Sequence, residues 1–217
     1  MLAAYIHAVA TDDPGAEEPA GTRERLKDRF PRGATRRMTQ LGLLMGAVLD
    51  PLRLTEMDTV VYASEFAESR ALEGFLDSFP SASPTLFQTS IHPSAVQQWL
   101  IQRQQAVRTF FPMTGGPHLV AQALQVALLA DTPRSIFCGG DERGTWLLEA
   151  GAASMRTFAF ALALSRDPLG AMGEIKLAPS DHASGDLSLQ RFFDALQGRE
   201  SLALSPTAGL WLTLDWR

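Results

Sequence analysis

One junction in this sequence has the shape that enzymes use to present a nucleophile: a strand, a glycine turn and the start of a helix, read as Phe110-Phe-Pro-Met-Thr-Gly-Gly-Pro-His118. Such a turn can hold one side chain at a tight elbow, backed by N–H groups and the positive end of a helix dipole. The residue at the apex is Met113 or Thr114. Methionine cannot attack an acyl group, and Thr114 has no base beside it in the sequence. From the residues alone, a turn without chemistry is the stronger interpretation.

Two histidines near this junction, His92 and His118, have the chemistry of a general base or of a hydrogen-bond donor to an acyl carbonyl. The commoner role of a histidine at a helix end is to bond the backbone or water, and we weigh that role more heavily. The other two histidines, His7 and His182, lie far away in the sequence. Four dispersed histidines predict no metal site.

The single cysteine, Cys138, ends an apolar strand and is followed by Gly139-Gly-Asp-Glu142. One thiol cannot form an internal disulfide or supply a multi-cysteine metal site. In this context a buried structural thiol is the expected role. Gly139 and Gly140 then predict a tight turn.

Several classes of function lose support from composition and missing motifs. A net charge of −5 and a pI near 5.4 argue against nucleic-acid binding, although Arg36 and Arg37 follow Arg32 closely enough for a local basic patch. The glycine patterns of the P-loop and of dinucleotide-binding folds are absent, so we expect no nucleotide and no other cofactor. Apolar runs are too short to span a bilayer, and no secretory signal is evident, which predicts a cytoplasmic protein.

Alternating strand and helix patterns predict one α/β domain over residues 1–217 with a mixed sheet, in which residues 12–35 form a variable surface loop with a short helical piece near 22–29. The predicted strands are 3–10, 59–64, 107–111, 134–138, 155–165, 172–177 and 209–216, and the predicted helices are 35–52, 65–79, 93–105, 118–130 and 186–197.

Five segments, in order, resemble the N-terminal half of β-ketoacyl synthases: Arg36-Arg-Met-Thr-Gln-Leu-Gly-Leu, Thr59-Val-Val-Tyr-Ala-Ser-Glu-Phe, Ser83-Pro-Thr-Leu-Phe-Gln-Thr-Ser-Ile-His-Pro-Ser-Ala, Met113-Thr-Gly-Gly-Pro-His and Ser135-Ile-Phe-Cys-Gly-Gly-Asp-Glu. The chain looks most like a truncated branch of that family, which includes chain-length-factor-like proteins of aryl polyene and xanthomonadin-type pigment clusters. The match covers about residues 36–145. It implies a thiolase-like half, with a mixed, five-stranded-type sheet covered by helices.

The resemblance also identifies what this chain lacks. If Gly116 is the glycine of the family's Cys-x-x-Gly turn, Met113 stands where the nucleophilic cysteine belongs, and Thr114, Gly115 and His118 complete the turn. The histidines and lysine of a condensing enzyme lie in the family's C-terminal half, for which 217 residues leave no room. Claisen condensation needs a thiolate to carry the acyl group, so we expect no independent activity.

The resulting hypothesis is a non-catalytic partner subunit in polyketide, fatty-acid or aryl polyene biosynthesis, which supports or sizes the acyl channel of a cysteine-bearing ketosynthase. The expected partner is that ketosynthase, or a second copy of the chain, with acyl carrier protein as a further candidate. Two alternatives remain open: a small acyltransferase or hydrolase using Thr114 or Cys138 with a histidine, and a stand-alone module that binds an acyl carrier or an acyl ligand.

Overall fold

A computed structural model describes residues 1–31, 33–181, 185–207 and 209–217. The strands are β1 (Leu2–Asp12), β2 (Thr59–Ser64), β3 (Thr109–Thr114), β4 (Arg134–Asp141), β5 (Phe158–Ser165), β6 (Gly173–Ala178), β7 (Leu202–Thr207) and β8 (Leu210–Trp216). The helices are α1 (Pro19–Leu26), α2 (Gln40–Leu49), α3 (Ser69–Leu76), α4 (Pro84–Thr89), α5 (Ser94–Arg103), α6 (Leu119–Leu129) and α7 (Leu189–Gly198). Short 3-10 turns cover Lys27–Arg29, Ala34–Arg37, Asp50–Leu52 and Trp146–Leu148.

All eight strands join one mixed sheet in the order β3-β2-β4-β5-β1-β6-β8-β7. β2 pairs in parallel with β3 and with β4, and the remaining pairs are antiparallel. The expectation of a five-stranded-type sheet is therefore wrong in number, because β6, β8 and β7 continue the same sheet beyond β1. The mixed α/β class is confirmed.

Side chains that alternate along the central strands pack into two separate hydrophobic cores, one on each face of the sheet. Val60 and Tyr62 of β2 face α2 and α5, whereas Val61 and Ala63 face α6 and α7. This two-residue alternation is the normal geometry of a strand covered on both faces. In the chain's last third, α7 contributes Phe192 to the second core, where its ring lies 5.6 Å from that of Phe137. That helix gives the sheet face beside α6 a second cover.

Local hydrogen bonds explain where key helices begin. The hydroxyl of Thr39 accepts from the N–H of Gly42 at 3.0 Å and caps α2. Gly46 allows close packing of α2, since a Cβ there would lie 2.6 Å from the ring of Phe30 and 2.8 Å from Trp99. The close packing of α2 against Phe30 and Trp99 therefore depends on the missing side chain at Gly46.

Besides α4 and β7, which the sequence did not predict, three segments differ from the sequence expectations. Residues 12–35 contain the expected helical piece, as α1 and the 3-10 turn Lys27–Arg29, but Thr22 and Leu26 of α1 are buried, so this stretch is not only a surface loop. Arg32 lies outside the described residues. Pro112–Thr114 belong to β3 rather than to the turn, and Gly139 and Gly140 lie inside β4. Among the described helices, none combines the length and apolar content that crossing a bilayer requires.

Candidate functional site

The predicted nucleophile turn lies where the parallel strands β2, β3 and β4 end. Met113 pairs with Ala63 and Thr114 with Ser64 across β3 and β2. Thr114 and the residues up to His118 are exposed, while Met113 is half-buried and packs on the core beneath α6. Neither the Thr114 hydroxyl nor the His118 ring hydrogen-bonds to any residue that the structure describes. The segment connects β3 to α6, and its side chains include no activated nucleophile.

Cys138 lies in the middle of β4 with no exposed surface, in the core that faces α2. Burial raises the pKa of its thiol well above the ordinary value. A thiolate, not a thiol, is the nucleophile in acyl transfer, so this side chain is unsuited to that role. The expectation of a buried structural cysteine agrees with this position.

Gly139 and Gly140 are required by packing. A Cβ on Gly139 would lie 2.7 Å from the carbonyl oxygen of Ala63, and one on Gly140 would lie 2.3 Å from that of Phe158. By contrast, a Cβ on Gly115 or Gly116 would meet nothing within 4 Å. Packing therefore excludes a side chain at the two glycines of β4, whereas the turn that follows β3 has space for one at Gly115 and Gly116.

His92 is held by a buried carboxylate. Its Nδ1 lies 2.9 Å from Oε2 of Glu68, and its ring stacks on Tyr62 with 5.0 Å between ring centroids. The other Glu68 oxygen accepts from the N–H of Ala95 at the start of α5. Both Nε2 of His92 and the Tyr62 hydroxyl are buried without a partner among the described residues. His92 therefore fixes the connection between α4 and α5, and it hydrogen-bonds to no candidate nucleophile.

Two adjacent carboxyl side chains, Asp141 and Glu142, lie at the end of β4. Asp141 accepts from the hydroxyl of Ser64 at 2.7 Å and from the N–H of Phe66 at 3.1 Å. Glu142 accepts from the N–H of Leu41 at 3.0 Å, at the start of α2. Burial raises the pKa of each carboxyl to about 7. Asp141 and Glu142 thus resemble the tuned acids of active sites, but hydrogen bonds tie both to the backbone of neighbouring segments.

Another buried carboxylate, Glu73 of α3, anchors the loop after β4. Its oxygens accept from the N–H groups of Thr145 and Leu147, at 2.8–2.9 Å, and from Arg70 at 3.1 Å. Burial alone would raise the pKa of Glu73, but these donors together hold it below its usual value. The carboxylate is consequently charged and fully paired.

An open groove, here called the arginine cleft, runs over the start of α2 and consists of three connected lobes. The glutamate lobe, about 480 Å³, includes Glu17, Glu18, Glu142 and Thr145; the central lobe, about 290 Å³, includes Arg23, Arg36, Arg37 and Arg70; the glutamine lobe, about 440 Å³, includes Gln88, Gln97, Gln98 and Gln102. Glu142 and Arg70 line both the glutamate and central lobes, and Arg37 lines both the central and glutamine lobes. The local basic patch expected around Arg36 and Arg37 is real and lies in a concave surface.

Sequence reasoning missed Glu68, Glu73 and Asp141 as buried charges. The described residues include no group of three or more His, Cys, Asp or Glu side chains arranged to hold a metal; His182 lies outside them. Apart from Arg70, which is three residues from Glu73, the partners of Glu68 and Glu73 named above come from segments 24 to 74 residues away, so local spacing could not reveal them. A buried strand that ends in adjacent acids, as β4 does, is the one signal that was available.

No protein-family model matches this chain, and no curated protein matches it. Solved structures do. A chain of the ketosynthase (ApeO) in complex with its chain length factor (ApeC) from Xenorhabdus doucetiae aligns with a TM-score of 0.70 and 20% identity, over 99% of this chain and 100% of that one. A chain from the complex of a type II PKS acyl-carrier protein with its ketosynthase (AntDE:AntF) aligns with a TM-score of 0.63 and 8% identity, over 100% of this chain and 99% of that one. A chain of the ishigamide ketosynthase/chain length factor aligns with a TM-score of 0.57 and 10% identity, over 82% of this chain and 68% of that one. The chain therefore has the thiolase-like fold of ketosynthases and chain length factors, as the sequence resemblance predicted.

Proposed function

We propose that this chain is the non-condensing, chain-length-factor-like partner of a cysteine-bearing ketosynthase in polyketide, fatty-acid or aryl polyene biosynthesis. One observation carries the proposal: the order of β3, a glycine-containing turn and α6 is the one that the family resemblance implies, but Met113, at the implied cysteine position near the end of β3, is no nucleophile. Cys138, the only thiol, is sealed in the core. Condensation requires an acyl-carrying thiolate, which must then come from another subunit.

The open edge of the sheet supports a role in pairing. β3 is an edge strand that pairs only with β2, so its outer N–H and C=O groups have no strand partner in the described chain. Phe111 in this strand is 41% exposed. An unprotected edge strand is a template for pairing with another chain. We assign this edge to the ketosynthase in a heterodimer, or to a second copy in a homodimer.

The segment between β2 and β3 supports a role in shaping an apolar channel. Seven large apolar side chains in this segment are exposed: Leu72, Leu76, Phe79, Leu86, Phe87, Ile91 and Ile101. The ring of Phe75 lies 5.4 Å from Phe79 and 5.3 Å from Phe87, so α3 and α4 share one aromatic cluster. Exposed apolar clusters of this kind mark surfaces that another molecule covers. In the proposed dimer they face the acyl channel, and their bulk limits the acyl chain.

The proposed partners also suggest a carrier protein as a further partner and indicate the compartment in which the protein works. An acyl-carrier protein is bound to the ketosynthase in one of the similar structures. We propose the same class of carrier as a further partner of the dimer, and the cytoplasm as the compartment where the dimer works.

Co-expression with the ketosynthase encoded nearby tests the proposal. We expect a one-to-one complex in light scattering after size-exclusion chromatography, and its loss in Phe111→Glu. Leu169→Glu is the control, since Leu169 is exposed in the loop between β5 and β6. We expect Phe79→Ala to lengthen the product seen by mass spectrometry. A chain that stays monomeric beside its ketosynthase, or that is itself acylated at Thr114 by an acyl thioester, would overturn the proposal.

A further inference from the structure

We infer that Pro112 makes the open edge of β3 select a strand of a different chain over a second copy of this one. Because β3 is the pairing edge in the proposed function, this selection rests on that proposal, and it decides between the two partners named there. Pro112 lies inside β3, at a position that the sequence placed in a turn. The partner that fits has backbone N–H groups where this chain has none.

The nitrogen of Pro112 faces away from the sheet. β3 pairs with β2 along its whole length without a register shift, and Pro112 lies opposite Tyr62 in that ladder. A proline nitrogen that faced β2 would remove a bond from the ladder, whereas an edge strand tolerates proline where the nitrogen faces outward. The missing N–H therefore falls on the open edge of β3.

That open edge has more hydrogen-bond acceptors than donors. Backbone groups point alternately to the two sides of a strand, so Phe110 and Thr114 face outward together with Pro112. These three residues present three carbonyl oxygens but only two N–H groups, because proline has none. The side chain of Phe111, between them, is 41% exposed and gives a partner an apolar contact. The edge can thus be paired, but its pattern of donors is incomplete.

A second copy of the chain brings the same missing donor. In an antiparallel pair of β3 strands about a two-fold axis, each position occurs once in each copy, so two carbonyl oxygens face a nitrogen without hydrogen. A carbonyl that is buried in an interface without a donor costs free energy. A strand of another chain, with an N–H group at each facing position, leaves only its one carbonyl opposite Pro112 without a donor. Self-pairing is therefore penalised twice and pairing with another chain once.

The distribution of prolines in the sheet agrees with a selection made at its edges. Among the eight strands that the structure describes, only β3 and β7 contain a proline, and these two are the edge strands. Edge prolines are a common device against unwanted pairing. Pro206 of β7 is buried and lies at a register shift, whereas Pro112 is exposed in a regular ladder. Of the two edges, β3 is thus the one that stays accessible to a partner.

Sedimentation equilibrium of the isolated chain tests the selection. Pro112→Ala restores the missing N–H, and Pro112→Val serves the same purpose if circular dichroism shows that the alanine variant loses its fold. The matched control is Pro51→Ala, since Pro51 is exposed in the 3-10 turn Asp50–Leu52, which lies beside β1 and β5. Adding Phe111→Glu to Pro112→Ala shows whether any new dimer uses this edge.

We expect the wild type and Pro51→Ala to stay monomeric. Pro112→Ala should self-associate about a hundredfold more tightly, since a two-fold pair regains two hydrogen bonds and each changes the affinity by about tenfold. Adding Phe111→Glu should dissociate that dimer. Self-association of the wild type as tight as that of Pro112→Ala, an equal gain in Pro51→Ala, or a Pro112→Ala dimer that Phe111→Glu leaves intact overturns the inference.

The proposed function fails on a different measurement. These readouts contain no ketosynthase, so they report only on pairing between copies of this chain. Absence of a complex when the wild type is co-expressed with its ketosynthase would overturn the proposed function, whatever the proline variants do alone. A wild-type complex with the ketosynthase, together with a Pro112→Ala chain that stays monomeric when isolated, would overturn the role of Pro112 and leave the proposed function standing.

Discussion

The N–H of Leu41 donates a 3.0 Å hydrogen bond to Oε2 of Glu142, across 101 residues of sequence. This contact joins the start of α2 to the end of β4 at the floor of the arginine cleft. Glu142 is 8% exposed, and burial raises its pKa to about 7 from 4.5. The contact therefore links the geometry of the cleft to the protonation of one carboxyl.

Glu142→Gln should flatten the pH dependence of stability. Because the folded-state pKa exceeds the unfolded one, the unfolded chain loses this proton first as the pH rises. The free energy of unfolding of the wild type then falls between about pH 4.5 and about pH 7 and levels off above. Asp141 contributes in the same direction, so the variant should lose part of the slope and gain about 1–3 kcal/mol over the wild type at pH 8. Urea unfolding from pH 5 to pH 8.5 measures this.

Glu149→Gln is the control for that series, because the Glu149 side chain is exposed and makes no hydrogen bond with the described residues. Its unfolding curve should follow the wild type at every pH. A wild-type stability that rises from pH 5 to pH 7, or a Glu142→Gln slope equal to that of the wild type, would contradict the assigned direction.

Glu73→Gln should act in the opposite sense. The pKa of Glu73 is held below 4.5, so its contribution is present above that pH and is lost as the pH falls. At pH 7 the variant leaves a buried amide where Thr145 and Leu147 donate to a carboxylate, at a cost of about 2–4 kcal/mol. Urea unfolding at pH 7 and pH 4 should show a smaller gap at pH 4. Glu56→Gln, an exposed change, should cost nothing at either pH.

Gly140→Ala should destabilise the fold by about 3 kcal/mol, since the new Cβ would lie 2.3 Å from the carbonyl oxygen of Phe158 and backbone cannot move away cheaply. Gly116→Ala is the matched change in the turn after β3. Its Cβ meets nothing within 4 Å, so we expect an effect within about 0.5 kcal/mol. Thermal unfolding measures both, and equal losses would show that the turn needs a glycine as much as the strand does, which contradicts the packing argument.

The strands of the sheet differ in how readily the sequence predicts them. The bounds of β2 follow directly from Thr59-Val-Val-Tyr-Ala-Ser64, because the flanking residues are polar and all six of its own residues are buried. β7 was missed, since Leu202–Thr207 contains Pro206 and is fixed by pairing with β8. The three strands beyond β1 also exceed the family expectation of a five-stranded-type sheet.

The candidate site also contains features that the local sequence predicts and features that depend on distant segments. The order of β3, the glycine turn and α6 around Met113 was predictable, because strand, glycines and helix are consecutive in sequence. The Glu68–His92 pair and the Leu41–Glu142 contact were not, since each joins segments brought together only by the sheet. Periodicity reports which face a residue occupies, whereas the partner of a buried charge depends on the packing of distant segments.

Met113→Cys should create the accessible thiol that the natural chain lacks. Met113 is half-buried at the end of β3, while Cys138 has no exposed surface and a pKa raised by burial. Native wild-type protein should therefore resist iodoacetamide until it is unfolded, and Met113→Cys should be alkylated at residue 113 within the native state. Peptide mass spectrometry locates the label. We expect no condensing activity in this variant when assayed alone, because a thiol without decarboxylating histidines completes only the acyl-transfer half of the reaction. Native labelling of Cys138 would instead mean that the core facing α2 opens, and that the thiol is available for chemistry.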